Sequence, residues 1–144
     1  APLPMKFEAG TQNFASTATL KPAIEVANQL NDNKLVENLD SIRDYLLDYF
    51  RKDERIRLYG VPRGTNEEKI PLFSFSVKGV HHEDLALILD KMGVAVRSGQ
   101  MCAEPLMDRF GVTGMLRVSF APYNTLEEAE YFVKCLNKAI EMLV

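Results

Sequence analysis

Two kinds of hydrophobic spacing alternate along this chain, and they constrain its fold more than any other feature. In the segment 34–52 apolar residues recur every three or four positions, which predicts an amphipathic helix of about five turns. The same spacing predicts helices over 83–92 and 126–143, and a short helix is predicted over 22–30, where Pro22 is tolerated in the first turn. A capping box of Thr125 and Glu128 should begin the last of them.

Most of the short segments between these helices alternate apolar and polar residues, as half-buried strands do, and 94–96 is a short β-branched run. Strands are predicted at 56–59, 72–77, 94–96 and 116–120. Residues 1–20 should be extended and irregular, and turns are expected at 31–33 and 60–69. Strands separated by helices of this length indicate an α/β fold, an α+β sandwich in which helices cover a small mixed or antiparallel sheet.

Charge and composition exclude several classes of function. Twenty acidic residues against seventeen basic ones give a net charge of −3, so no nucleic-acid partner is expected. No apolar run approaches the ~20 residues that span a bilayer, so we expect no membrane insertion. Cys102 and Cys135 lack the spacing of a zinc site, and a reducing cytoplasm fits them best. The start lacks both Met and a signal-peptide pattern, which suggests a piece of a longer protein.

The stretch from Val94 to Arg117 contains the best candidate for a reactive side chain in a functional site. Cys102 follows Ser98-Gly99 on a polar loop, whereas Cys135 lies within the last predicted helix and is expected to be a small buried hydrophobe. A reactive thiol needs thiolate character, which nearby cations favour. Arg97 and Arg117 are near Cys102 in sequence, so Cys102 is the predicted reactive thiol.

Arg117 lies within an apolar strand, where Leu116 and Val118 should point to the opposite face. An unpaired charge there is costly, so Arg117 needs a partner. Its planar fork suits a substrate carboxylate held by two hydrogen bonds. The pair His81-His82, followed by Glu83-Asp84, indicates helix capping rather than metal binding.

Three motifs carry a resemblance to a known family. They are R-S-G-x-x-C-A-x-P-L-M over 97–107, R-x-S-F-x-x-Y-N-T over 117–125, and FEAGTQN near the start. The chain resembles the C-terminal part of SUF-type, or group II, cysteine desulfurases over essentially all of its 144 residues. These are fold-type I pyridoxal-phosphate enzymes of the aminotransferase class V family.

The resemblance implies a reaction in which L-cysteine becomes alanine while its sulfur passes to an enzyme thiol as a persulfide for iron–sulfur cluster assembly. By the same resemblance, Cys102 accepts the sulfur, Arg117 binds the substrate carboxylate, and Arg97 lies at the site. The resemblance also implies that Thr11, with Gly10 before it, binds the phosphate of pyridoxal phosphate across the interface of a homodimer. The implied partner is a sulfur-acceptor protein of the SUF pathway.

Two departures from the family pattern limit what this chain does alone. Gln100-Met101 stands where the family often has histidine, and the Ser-x-His-Lys motif that carries the cofactor lysine is absent. The resemblance therefore implies that residues 31–144 are the small C-terminal domain. Residues 1–30 would connect it to a large cofactor domain outside this sequence, and the chain would be inactive without that domain.

Two alternatives remain open at the level of sequence. A selenocysteine lyase or a cysteine sulfinate desulfinase can share this motif set. A stand-alone sulfur-carrier or interaction module could instead use Cys102 to accept sulfur from a separate protein. The complete open reading frame separates the carrier from the enzyme, because only the enzyme requires a Ser-x-His-Lys motif upstream.

Overall fold

The computed structural model describes residues 2–30, 33–60, 66 and 69–144. The chain divides into two compact units, Ala1–Asn33 and Lys34–Val144. The turns predicted at 31–33 and 60–69 lie mostly outside the described residues.

The first unit is helical where the sequence suggested an irregular course. It contains a 3₁₀ turn over Met5–Phe7 and the helices α1 (Phe14–Ala18) and α2 (Leu20–Leu30). The expectation of an extended, irregular segment over 1–20 holds for 8–13 but is wrong from Phe14 on, because the Asn13 side chain accepts a hydrogen bond from the backbone N–H of Ser16 and caps α1. The described residues of these elements bury no side chain.

The rest of the chain forms a four-stranded sheet with helices. Its elements are α3 (Asn33–Lys52), β1 (Ile56–Tyr59), β2 (Leu72–Val77), α4 (His82–Lys91), β3 (Arg97–Gly99), α5 (Glu104–Phe110), β4 (Met115–Ser119) and α6 (Leu126–Leu143). The strand order is β1-β2-β4-β3, and each neighbouring pair is antiparallel. The predicted α/β class is confirmed, with an antiparallel sheet.

The main hydrophobic core lies between one face of the sheet and the helices α3, α4 and α6. Phe50 of α3 packs against Phe73 and Phe75 of β2, with ring centroids 5.4 and 5.0 Å away. The predicted capping box begins α6, with Thr125 accepting from the backbone N–H of Glu128. Because alternate residues of β2 and β4 enter this core, the residues between them face the other side of the sheet.

The second face of the sheet carries a smaller apolar cluster. Tyr59, Met107 and Met115 are buried there, with Phe110 packed against them. Met107 and Phe110 belong to α5, which therefore covers part of this face. The uncovered part of the second face is where a ligand can approach the sheet.

The strand predicted over 94–96 forms three residues later, over Arg97–Gly99. Val94 is not free to pair in the sheet, since its backbone N–H donates to the carbonyl of Leu89 at the end of α4. Val94 and Val96 pack on the main core without strand pairing. The shift places Arg97 and Ser98 within the sheet.

Candidate functional site

Four side chains form one row across the second face of the sheet. Tyr59 pairs with Ser74, Ser74 pairs with Arg117, and Arg117 pairs with Arg97 on the edge strand β3. Two like charges directly opposite each other on neighbouring strands are unfavourable unless an anion lies between or above them. The row thus brings the two predicted substrate-binding arginines together.

Arg117 has an unsatisfied donor on this face. Its Nε is buried and makes no hydrogen bond in the described part of the chain. Leaving a buried donor of a charged group unpaired costs free energy on the order of 1–3 kcal/mol or more. The partner that the sequence predicted for Arg117 is therefore not found among the described residues, and a bound carboxylate would supply it.

Arg117 opens onto a cavity of about 360 Å³. Its walls are mostly apolar and include Met101, Met107, Phe110 and Met115, with Lys69 as a second cation. Burial lowers the pKa of the Lys69 amine. No Asp or Glu lies among the described lining residues, so the cavity suits a small anion with an apolar part.

Cys102 lies at the tip of a tight turn from Gln100 to Ala103, closed by a 3.0 Å hydrogen bond from the Ala103 N–H to the Gln100 carbonyl. Both central residues, Met101 and Cys102, have positive φ, at 57° and 61°, as in a type I′ turn. Glycine and asparagine are the usual residues there, because other side chains clash with the backbone. The conformation presents the Cys102 thiol to solvent, while Met101 lines the Arg117 cavity.

The remaining predicted residues have contrasting environments. Cys135 is 5% exposed in the main core, as expected for a structural cysteine, and Arg97 is exposed at the sheet edge. Gly10 and Thr11 lie in the first unit and are exposed.

His81 and His82 have separate roles. The His81 side chain accepts a hydrogen bond from the Glu83 N–H and caps α4, which confirms the capping interpretation. His82 is buried, and its Nδ1 lies 2.7 Å from the Ser98 hydroxyl oxygen. Among the described residues no group of three or more His, Cys, Asp or Glu could hold a metal ion.

The burial of His82 predicts a pH dependence of folding. Burial, together with the neighbouring His81, lowers the pKa of His82 below its ordinary value of 6.5. At a pH between the pKa of His82 in the folded chain and its ordinary value, the unfolded chain binds more protons than the folded one. The contribution of neutral, buried His82 to the free energy of unfolding is therefore complete above about pH 6.5 and is lost as the pH falls below that value. We expect His82→Gln to flatten the slope of unfolding free energy, measured in urea, between about pH 7.5 and 5.5. An unchanged slope would contradict this assignment.

The His82 ring occupies space that a side chain at position 114 would fill, and Gly114 has none. A Cβ on Gly114 would lie 2.8 Å from two ring carbons of His82. We expect Gly114→Ala to lower the free energy of unfolding by about 1–3 kcal/mol, because the ring is confined and must move. In a His82→Ala background the same change should cost much less. Equal costs in both backgrounds would show that the ring is not the obstacle.

Sequence reasoning found the two arginines and the thiol but missed their surroundings. Lys69 and Ser74 were not singled out, and Met101 was noted only as a departure from the family pattern. Alternation in β2 places Ser74 on the second face, since Phe73 and Phe75 enter the core, and this signal was available. The pairing of Ser74 with Arg117 was not, because strand register joins residues far apart in sequence.

Comparison with known proteins assigns this chain to a family. Residues 1–132 match the aminotransferase class-V family. The chain is 38% identical over 98% of its length to a probable cysteine desulfurase of Vibrio cholerae, and 36% identical to the cysteine desulfurase CsdA of Escherichia coli, also over 98%. It spans about a third, 34%, of each of these curated relatives.

Solved structures agree with these matches. The crystal structure of CsdA from Escherichia coli superposes with a TM-score of 0.81 at 36% identity, over 98% of this chain and 34% of that one. The apo cysteine desulfurase from Thermococcus onnurineus gives 0.75 at 33% identity, over 97% of this chain and 34% of that one. The α/β fold of this chain is thus shared with cysteine desulfurases of known structure. The chain belongs to the aminotransferase class-V family.

Within the described helices, none is both long and apolar enough to cross a bilayer.

Proposed function

We propose that this chain is the small-domain part of a cysteine desulfurase, with Cys102 as sulfur acceptor and Arg117 as carboxylate ligand. The single observation that carries the proposal is the buried Nε of Arg117, which has no hydrogen-bond partner among the described residues and belongs to a residue directly opposite Arg97 on the sheet. Such an arrangement is costly without an anion and favourable with one. The relatives named as cysteine desulfurases support this choice of substrate class.

The proposed reaction balances over the substrate and one thiol. L-cysteine and the Cys102 thiol give alanine and a Cys102 persulfide. The C–S bond of the substrate and the S–H bond of Cys102 break, while a C–H bond of alanine and the S–S bond of the persulfide form. The exposed turn position of Cys102 lets the thiol approach the substrate and then a separate acceptor. The fork of Arg117 fixes the carboxylate, so the substrate sulfur is held at a defined place.

Pyridoxal phosphate, when bound, supplies the electron sink that makes the C–S bond labile. The residues of this chain fit a contribution to its phosphate: the Thr11 hydroxyl is exposed, and Gly10, with φ at 77°, lets the backbone turn there. The cofactor lysine would come from a large domain outside this sequence. Residues 1–30 would connect to that domain and 31–144 would form the small domain.

The proposal extends to the cellular setting. A reactive free thiol requires a reducing compartment, so we place the reaction in the cytoplasm. The complete enzyme would work as a homodimer and deliver persulfide sulfur to a SUF-type acceptor protein for iron–sulfur cluster assembly.

The complete open reading frame tests this proposal. It should contain a Ser-x-His-Lys motif before this sequence, and its purified product should convert L-cysteine to alanine while Cys102 gains one sulfur atom by peptide mass spectrometry. A faster reaction with selenocysteine or cysteine sulfinate would assign the enzyme to one of the related lyases. A reading frame without the motif would refute the enzyme and favour the sulfur carrier.

A further inference from the structure

The strand β3 links Arg97, which lies opposite Arg117, to the turn that carries Cys102. Arg97 is its first residue, and the turn that carries Cys102 follows its last residue, Gly99. β3 has three residues and pairs only with β4 among the described strands. A strand this short, at the edge of a sheet, is poorly fixed by its ladder alone.

The turn after β3 needs firm support. Met101 and Cys102 both adopt positive φ, and such conformations persist only where the surrounding structure determines them. The far end of the turn is held by α5, since the N–H groups of Leu106 and Met107 donate to the carbonyl of Ala103. The near end depends on β3.

One side-chain hydrogen bond ties β3 to the helix layer. Ser98 Oγ lies 2.7 Å from Nδ1 of His82, the first residue of α4. His82 is 9% exposed, so water competes little for this bond. Its ring is confined on two sides, by Gly114 and by the ring of His81 stacked 4.3 Å away.

We propose that His82 is a positioning residue, whose hydrogen bond to Ser98 fixes β3 and thereby sets where Arg97 and the Cys102 turn lie. The catalytic meaning of this role rests on the proposed function. The positioning itself does not, because it concerns only contacts within this chain. Neither His82 nor Ser98 touches the Arg117 cavity, so both act through β3 rather than on substrate.

A matched pair of variants at Ser98 tests the inference in this chain. Threonine keeps the hydroxyl, whereas valine has the shape of threonine without it. Amide hydrogen exchange over 97–103 should be about tenfold faster in Ser98→Val than in Ser98→Thr, which is the effect of one buried hydrogen bond on local opening. Exchange in α6 should be the same in both variants, which excludes a general loss of stability.

A second variant approaches the bond from its other end. His82→Phe keeps a ring but removes Nδ1, and it should accelerate exchange over 97–103 to a similar extent. The double variant with Ser98→Val should be no faster than either single variant, because both remove one interaction. Equal exchange in Ser98→Thr and Ser98→Val, or additive effects in the double variant, would overturn the inference.

The complete enzyme provides the functional readout. Ser98→Val should slow sulfur transfer to Cys102 about tenfold, and Ser98→Thr should restore it, while the thermal midpoints of the two variants stay close. If local exchange differs but sulfur transfer does not, the role in positioning the thiol is refuted. If the unmutated enzyme places no sulfur on Cys102, the proposed function fails while the exchange result still decides the structural inference.

Discussion

Cys102→Ala is expected to abolish persulfide formation in the complete enzyme and to lower alanine production from L-cysteine by at least ~10³-fold, the scale on which loss of a nucleophile acts. The reason is that Cys102 is exposed on the turn beside the Arg117 cavity, whereas Cys135 is buried in the main core. Alanine formation in a rapid-quench assay, with peptide mass spectrometry for the extra sulfur, measures both quantities.

Cys135→Ala is the matched control for this loss. It removes the other thiol from a site that is 5% exposed, so it should lower the free energy of unfolding by about 1 kcal/mol and leave sulfur transfer unchanged. Native alkylation should modify Cys102 well before Cys135 for the same reason. If Cys135 reacts first, or if Cys135→Ala removes the persulfide, Cys102 is not the acceptor.

Cys102→Gly separates the chemistry of the thiol from the conformation of its turn. Glycine and alanine both lack sulfur, but only glycine adopts the φ of 61° at this position without steric cost. We expect Cys102→Gly to be about 1 kcal/mol more stable to unfolding than Cys102→Ala, with both variants inactive. The natural residue thus costs stability at this site, as is common where function fixes the side chain.

The sequence predicted best what depends on local patterns. Leu116 and Val118 alternate with Arg117, and this alone placed the guanidinium on the face away from the main core. The helix α6 was correctly predicted from its capping box and apolar spacing. Both signals are reliable because the spacing of apolar residues follows directly from the number of residues per turn of a helix or from the alternation of side chains along a strand.

The sequence failed where distant segments decide the outcome. Val94 and Val96 have high strand propensity, yet the strand forms over Arg97–Gly99, because the end of α4 uses the Val94 N–H and because Arg97 pairs with Arg117. Propensity did not indicate the positive φ of Met101 and Cys102 either. Both departures fall at the candidate site, where a local preference is most often overridden.

The row of side chains on the second face of the sheet lowers the stability of the domain at the candidate site. Two arginines lie opposite each other across the sheet, and the buried Nε of Arg117 has no partner within the described part of the chain. Such an arrangement makes an unliganded domain less stable than an apolar pair would. A bound anion turns the same arrangement into a favourable one. The instability of the free site and the proposed binding of a carboxylate would both follow from this one arrangement of the two arginines.

Arg117→Lys is expected to lower kcat/KM for L-cysteine about ten- to 150-fold in the complete enzyme. Lysine keeps the charge but loses the two-point fork, a loss of about 1.5–3 kcal/mol for hydrogen bonds to a charged group. We expect both a higher KM and a lower kcat, because the proposed clamp would bind the substrate and also orient its sulfur toward Cys102. Arg97→Lys is the control, and since Arg97 is exposed its effect should be smaller.

Arg117→Leu distinguishes a ligand site from a structural ion pair by the sign of a stability change. If Arg117 were the partner of a buried carboxylate, removing it would destabilise this chain by about 3–5 kcal/mol. Because its Nε has no partner among the described residues and Arg97 lies opposite, we expect Arg117→Leu to stabilise the unliganded chain by up to about 1 kcal/mol. Urea unfolding of this chain without substrate measures the sign. Strong destabilisation, together with an unchanged kcat/KM for Arg117→Lys, would remove Arg117 from the site.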